Sequence, residues 1–149
     1  MTIANRETGR DALVSLLSTA LVGTGKPATA VFGYRKGDFD GASPVVTVTS
    51  NGTGQEQKAI TSRQKNEFFY EITTFTLYAL KDTTWGEDDT EDRMDLLEKT
   101  IRETIAGNVS TVNWAFLEYA GKSEIYDALI SGVKYCMEVI PVRMEIYDN

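Results

Sequence analysis

The apolar positions of the chain fall into helical and strand periods that change along its length. Leu13, Leu16, Leu17, Ala20 and Leu21 recur at three- and four-residue spacing, as one buried helical face requires. Thr8 with Asp11 three residues on has the form of an N-cap, and Gly23, Gly25 and Pro27 stop the run. This predicts a helix over 8–22. Residues 29–35 and 44–50 read as strands, the second rich in β-branched side chains, on either side of a polar turn at 36–43. The pair is expected to form an antiparallel hairpin, with Asp38 and Asp40 beside Gly37 and Gly41 as turn formers.

Residues 51–65 are Gly-rich, polar and mildly basic, and read as a long flexible loop or arm carrying Lys58, Arg63 and Lys65. Residues 66–80 follow as a long strand, aromatic, Thr-rich and apolar on both faces, which suits the centre of a sheet or a subunit contact. Residues 81–90 read as a loop. The acidic cluster Glu87, Asp88, Asp89, Glu91, Asp92 then leads into a second helix with the stripe Met94, Leu97, Ile101, Ile105, ended by Gly107-Asn108. A strand at 112–119, a short helical turn at 123–130 and a closing strand complete the order.

The closing strand, 133–149, changes phase. Its apolar residues sit at odd positions up to Val139 and at even ones from Ile140, with Pro141 at the junction. Because strand side chains alternate, one extra residue would turn the later ones over, so a bulge at Val139–Pro141 is expected. Val142, Met144 and Ile146 would then pack on another layer or on a neighbouring subunit. Strands that follow one another without a βαβ rhythm predict a single α+β domain over 1–149, a mainly antiparallel sheet flanked by two helices.

A length of 149 residues, 42% hydrophobic and 25% charged, fits one soluble globular core. No apolar run nears the roughly 18 residues of a membrane span, and the N-terminus lacks the apolar segment of a signal peptide. The single Cys136 reads as a small buried hydrophobe of a reducing compartment. Charge is divided unevenly. Residues 1–66 carry a net +3 and residues 67–149 a net −10, together the −7 of the chain. Such a protein is poorly suited to gripping phosphates, but its two halves can attract copies of one another head to tail.

Candidate chemistry is sparse. There is no histidine, which removes the commonest general base and metal ligand. Gly23-Thr24-Gly25-Lys26 lacks the flanking residues of a phosphate loop, with Ala20 and Pro27 where Gly and Ser or Thr would be needed, and follows a helix. The cluster Glu87–Asp92 offers hard oxygen ligands without an EF-hand spacing, and acids at a helix start are what the helix dipole favours. No carboxylate pair among the many acids is singled out for catalysis. No catalytic, metal or cofactor site is singled out, and an enzyme is unsupported by these residues without being excluded.

In order and texture the chain resembles the tail terminator proteins of long-tailed bacteriophages, also called tail completion or tail-to-head joining proteins. The likeness lies in the N-terminal amphipathic helix, the Pro44-initiated strand, the aromatic strand Phe68–Tyr78, the acidic-start helix from Glu91 and the closing strand Tyr135–Tyr147. The resemblance implies a non-catalytic virion protein at the tail–head junction, present in the host cytoplasm during assembly. Such proteins form rings, usually hexamers, that cap the tail tube and meet the head–tail connector or head-closure protein. DNA passes through the ring without specific binding, and no membrane is involved. On this reading Phe68, Tyr70, Tyr78, Val142, Met144 and Ile146 are interface candidates, Glu87, Asp88, Asp89 and Asp92 line the lumen, and Lys58, Arg63 and Lys65 belong to the arm. Another neck or tail structural protein (connector, head closure or tube subunit) is the alternative, and a small His-free enzyme or ligand-binding domain is the third reading.

Overall fold

A computed structural model of the chain describes residues 6–34, 37, 39, 42–50, 52, 74–80, 86–114, 116–130 and 132–145, with the backbone alone for 74–80, 86–90, 126, 128, 130 and 133. Helix α1 (Arg6–Leu21) starts two residues before Thr8, which therefore lies inside the first turn and is not its cap. The stripe Leu13, Leu17, Leu21 is fully buried. The helix ends where Val22 N–H donates to Ser18 O at 3.0 Å and Gly23, at φ 141°, turns the chain away.

Strands β1 (Ala30–Phe32) and β2 (Val45–Thr49) are adjacent but parallel, so the expected hairpin is overturned. Parallel neighbours need a crossover of about a dozen residues, and residues 33–44 supply it. Phe39, in the middle of that crossover, anchors it. Its ring is 2% exposed, meets Tyr135 edge-on at 5.5 Å between centroids and stacks on Phe32 at 6.4 Å.

Strand β3 (Thr74–Leu80) lies antiparallel between β2 and the long β6 (Val133–Glu145), giving the order β1-β2-β3-β6-β4, with β5 also on β6. The rest of the expected 66–80 strand, and the 51–65 arm apart from Gly52, lie outside the described residues. Helix α2 (Gly86–Ala106) begins five residues before Glu91, so Glu87, Asp88 and Asp89 occupy its first turn and not a preceding loop. Carboxylates there are stabilised by the helix dipole. Its predicted stripe Met94, Leu97, Ile101, Ile105 is buried. At its far end Asn108 Nδ2 donates to Thr104 O, and the buried Trp114 closes the corner by donating from Nε1 to Asn108 O, both at 2.9 Å.

β4 (Phe116–Tyr119) and β5 (Glu124–Ile130) pair end to end with one edge of β6. The segment expected to be a helical turn is thus β5, paired with β6 up to Ile130↔Val133, and Gly132 between them has φ 79°, as a tight hairpin turn demands. The fold is α+β, with both helices packed together on one face of the sheet.

The bulge expected in β6 is absent. Every residue of β6 from Val133 to Glu145 has a partner on β5, β3 or β4, and against β3 the register is constant from Tyr135 to Pro141. Cys136, Ile140, Val142 and Met144 all join one cluster under the helices, so the even positions face the same way throughout. Tyr135 is buried on the opposite face with Phe39 and Val45, whereas Arg143 and Glu145 farther along that face pair with each other at 3.1 Å. The apparent phase change arises because the outward face carries apolar residues up to Val139 and the Arg143–Glu145 pair beyond it, while the inward face from Cys136 to Met144 is apolar except at Glu138. Val142 and Met144 are consequently spent on this chain's own core, not on another layer or a neighbour; Ile146 lies outside the described residues.

The irregularity belongs to the partner edge. Tyr119 pairs with Val142 and Glu124 with Val139, so residues 120–123 are set against only two residues of β6. Pro141 is one of those two, and its carbonyl accepts from Ala120 N at 2.9 Å. In a strand a residue's N–H and C=O point to the same side. The missing N–H of Pro141 therefore faces this interruption, where no regular ladder bond is lost.

Candidate functional site

Three features lie outside the simple core. The first is Glu138. As an even position of β6 it faces the helices, and it is 4% exposed between the buried Cys136 and Ile140. The interruption at 120–123 brings Ser123 to it, and the Ser123 hydroxyl donates to its carboxylate. From α2 come Asp95 and Glu98, and from β4 Tyr119, whose hydroxyl donates to Glu98 Oε1 at 3.3 Å. Arg102 Nε approaches the same Glu98 oxygen at 3.4 Å. Burial raises the Glu138 carboxyl above the usual carboxylate range. The Ser123 hydrogen bond opposes this, and the charges of Glu98 and Asp95 add to it. Tyr119 is likewise held protonated above the phenol range, first by burial and then by Glu98. Both shifts favour the protonated forms of Glu138 and Tyr119. Among the described residues no set of three or more His, Cys, Asp or Glu side chains is placed to hold a metal ion.

The second feature is a hollow of about 290 Å³ beside α1, lined by Arg10, Gly33, Tyr34, Thr49 and Ser50. Arg10 Nη1 donates to Ser50 Oγ at 2.8 Å, while its Nε is buried with no acceptor. A Cβ on Gly33 would stand 3.1 Å from Val14 Cγ2, so glycine lets the end of β1 lie close against α1 there.

The third is the β5 edge. Ile125 and Leu129 lie opposite Glu138 and Lys134 of β6, on the helix-covered face, yet are 55% and 69% exposed. Among the described residues the helices pack chiefly on β1 to β4, and Ile125 and Leu129 lie beyond that cover. Among the described residues no strand pairs with the far side of β5.

The residues expected from sequence to form sites are not gathered into one place. Phe68, Tyr70, Lys58, Arg63 and Lys65 lie outside the described residues. Tyr78 occupies the register position between Val45 of β2 and Met137 of β6, an interior place in the sheet. Glu87, Asp88 and Asp89 share the first turn of α2, and Asp92 is exposed on the next. Sequence reading passed over Glu138, Arg10, Ile125 and Leu129. Only Glu138 left a signal, as the single acid among the inward positions of β6 from Cys136 to Met144.

No protein-family model matches the chain, and no curated protein matches it. Among solved structures it is similar to a chain in the virion of a native gene transfer agent particle, with a TM-score of 0.46 and 9% identity over 91% of this chain and 84% of that one. At that score and identity the likeness says nothing of what this chain does.

Proposed function

We infer that this chain is a structural subunit of a phage-like virion, and specifically a ring-forming joining protein of the tail terminator kind. The observation that carries the reading is the β5 edge. Two large apolar side chains, Ile125 and Leu129, stand exposed on a sheet edge without a described partner strand, a surface that soluble monomers normally avoid and that subunit contacts use. The sequence's resemblance to such proteins supports it, as does a net charge of −7, which is poorly suited to gripping DNA phosphates.

On this reading the ring, a hexamer by resemblance, caps the tail tube and meets the head connector. The acids Glu87, Asp88, Asp89 and Asp92 face the channel, and Phe68, Tyr70 and Tyr78 with the Lys58, Arg63 and Lys65 arm contribute to neighbouring contacts. Light scattering on the purified chain is expected to give a defined oligomer, and negative-stain images annuli wide enough for duplex DNA. Leu129→Asp, at an exposed position, is expected to reduce the oligomer without lowering the melting temperature. A strictly monomeric chain at high concentration overturns the reading, and compact particles without a hole point instead to a different neck or tail component.

A further inference from the structure

We propose that the hollow at Arg10 is a carboxylate-binding socket filled by Glu91 of a second copy of this chain. The inference rests on the assembly reading above and adds to it the contact between subunits.

The argument starts from an incompletely compensated charge. A guanidinium presents five N–H donors and is always charged. Arg10 makes one hydrogen bond, to the neutral Ser50 hydroxyl, and its Nε is sealed from solvent without an acceptor. Among the described residues no carboxylate pairs with it. Part-burying a cation without an anion is costly, so the geometry is that of a site awaiting one. The remaining lining is suited to a carboxylate. Thr49 and Ser50 offer hydroxyls, and the open volume of about 290 Å³ exceeds what one carboxylate end needs. The planar fork of arginine binds a carboxylate through two parallel hydrogen bonds.

The source of the carboxylate is indicated by the rest of the chain. Its N-terminal half is net positive and its C-terminal half strongly negative, so copies attract with unlike halves together. On α2, Glu91 is exposed and, among the described residues, has neither an ion pair nor a hydrogen bond. Glu98 and Glu103, by contrast, are engaged with Arg102 and Lys99. Asp92 is exposed beside Glu91 but is one methylene shorter, and Glu91 reaches farther into a recessed socket. A contact joining two different surfaces of each copy is the heterologous type from which rings are built.

Charge reversal tests this with the full chain. Light scattering and analytical ultracentrifugation are run on the unaltered chain, Arg10→Gln, Arg10→Glu, Glu91→Lys and the double variant Arg10→Glu with Glu91→Lys, with melting curves to confirm folding. Either single reversal is expected to raise the dissociation constant at least thirtyfold, about what losing one partner of a desolvated charge pair costs. Arg10→Gln removes the charge without reversing it and is expected to weaken association less, and the double variant to recover most of it. An unaltered chain that is monomeric throughout overturns both this proposal and the assembly reading. An oligomer that ignores Arg10→Glu, or a double variant weaker than either single one, overturns the socket alone.

Discussion

On the helix-covered face of the sheet, Val46, Val48, Cys136, Ile140, Val142 and Met144 meet two helices and form one continuous core with them. On the opposite face the described cluster is Phe39, Val45 and Tyr135, with Ala30, Phe32 and Ala42 at its margin. The first is a packed layer, and the second is a clamp holding a crossover loop against β2 and β6. The difference separates what keeps the chain folded from what shapes one end of it. It predicts that Ile140→Ala, which empties space between layers that cannot close, costs about 4 kcal/mol in urea unfolding. Phe39→Ala is expected to cost less, about 3 kcal/mol, because a loop relaxes more easily than two helices. A larger loss at Phe39 would reverse the ranking of the two faces. Met144→Ala belongs with Ile140 and is expected to lower stability with no separate effect on association.

Glu138 is where the packed layer departs from its own rule. Its carboxylate is buried near Asp95 and Glu98 of α2 and Tyr119 of β4, while Arg102 pairs with Glu98 and Ser123 donates a hydrogen bond to it. Its folded-state pKa is raised, so the folded chain favours the protonated acid. The stabilising effect of that preference is present below the unfolded carboxylate value, roughly 4.3, and is lost as pH rises through the folded value. Glu138→Gln mimics the protonated form. It is expected to stabilise the protein by on the order of 1 kcal/mol at pH 7, with the two melting curves converging as pH falls below about 4. A Gln variant that is less stable at neutral pH would show that the charge is compensated and that the polar grouping supports the core.

Much of this arrangement was legible in the amino-acid order, and the failures have physical causes. Both helices announced themselves because Leu13, Leu17, Leu21 and Met94, Leu97, Ile101, Ile105 repeat over several turns, where chance agreement is small. The β5 segment did not, because Ile125, Ala128 and Leu129 satisfy a helical spacing as well as a strand one. The deciding mark was the following Ser131-Gly132, a two-residue turn signal. Parallel pairing of β1 and β2 was hidden because the 36–43 segment looks polar; only Phe39 hinted that it folds back. The false bulge came from reading apolarity as orientation. Glu138 is polar yet inward, and Tyr135 and Met137 are apolar yet on the other face. Sites were the least legible. Neither Arg10 in a helix nor Leu129 in a strand is unusual until the fold shows what lies beside each of them.

The polar stretch of the opposite face gives the smallest effect and the clearest contrast with Glu138. Arg143 sits at an outward position of β6, 3.1 Å from Glu145 on its own strand and 3.9 Å from Glu118 across the ladder. Glu118 is 44% exposed, so its attraction to Arg143 is partly screened and is offset by the ordering of two long side chains. Glu118→Ala is therefore expected to change stability by no more than about 0.5 kcal/mol, and any effect should vanish in 1 M salt. Glu138→Gln is expected to keep its effect in salt, because a desolvated carboxylate is not reached by mobile ions. If the two variants respond to salt alike, the distinction between the helix-covered face of β6 and the opposite one fails. The explanation of the strand's changing pattern would fail with it.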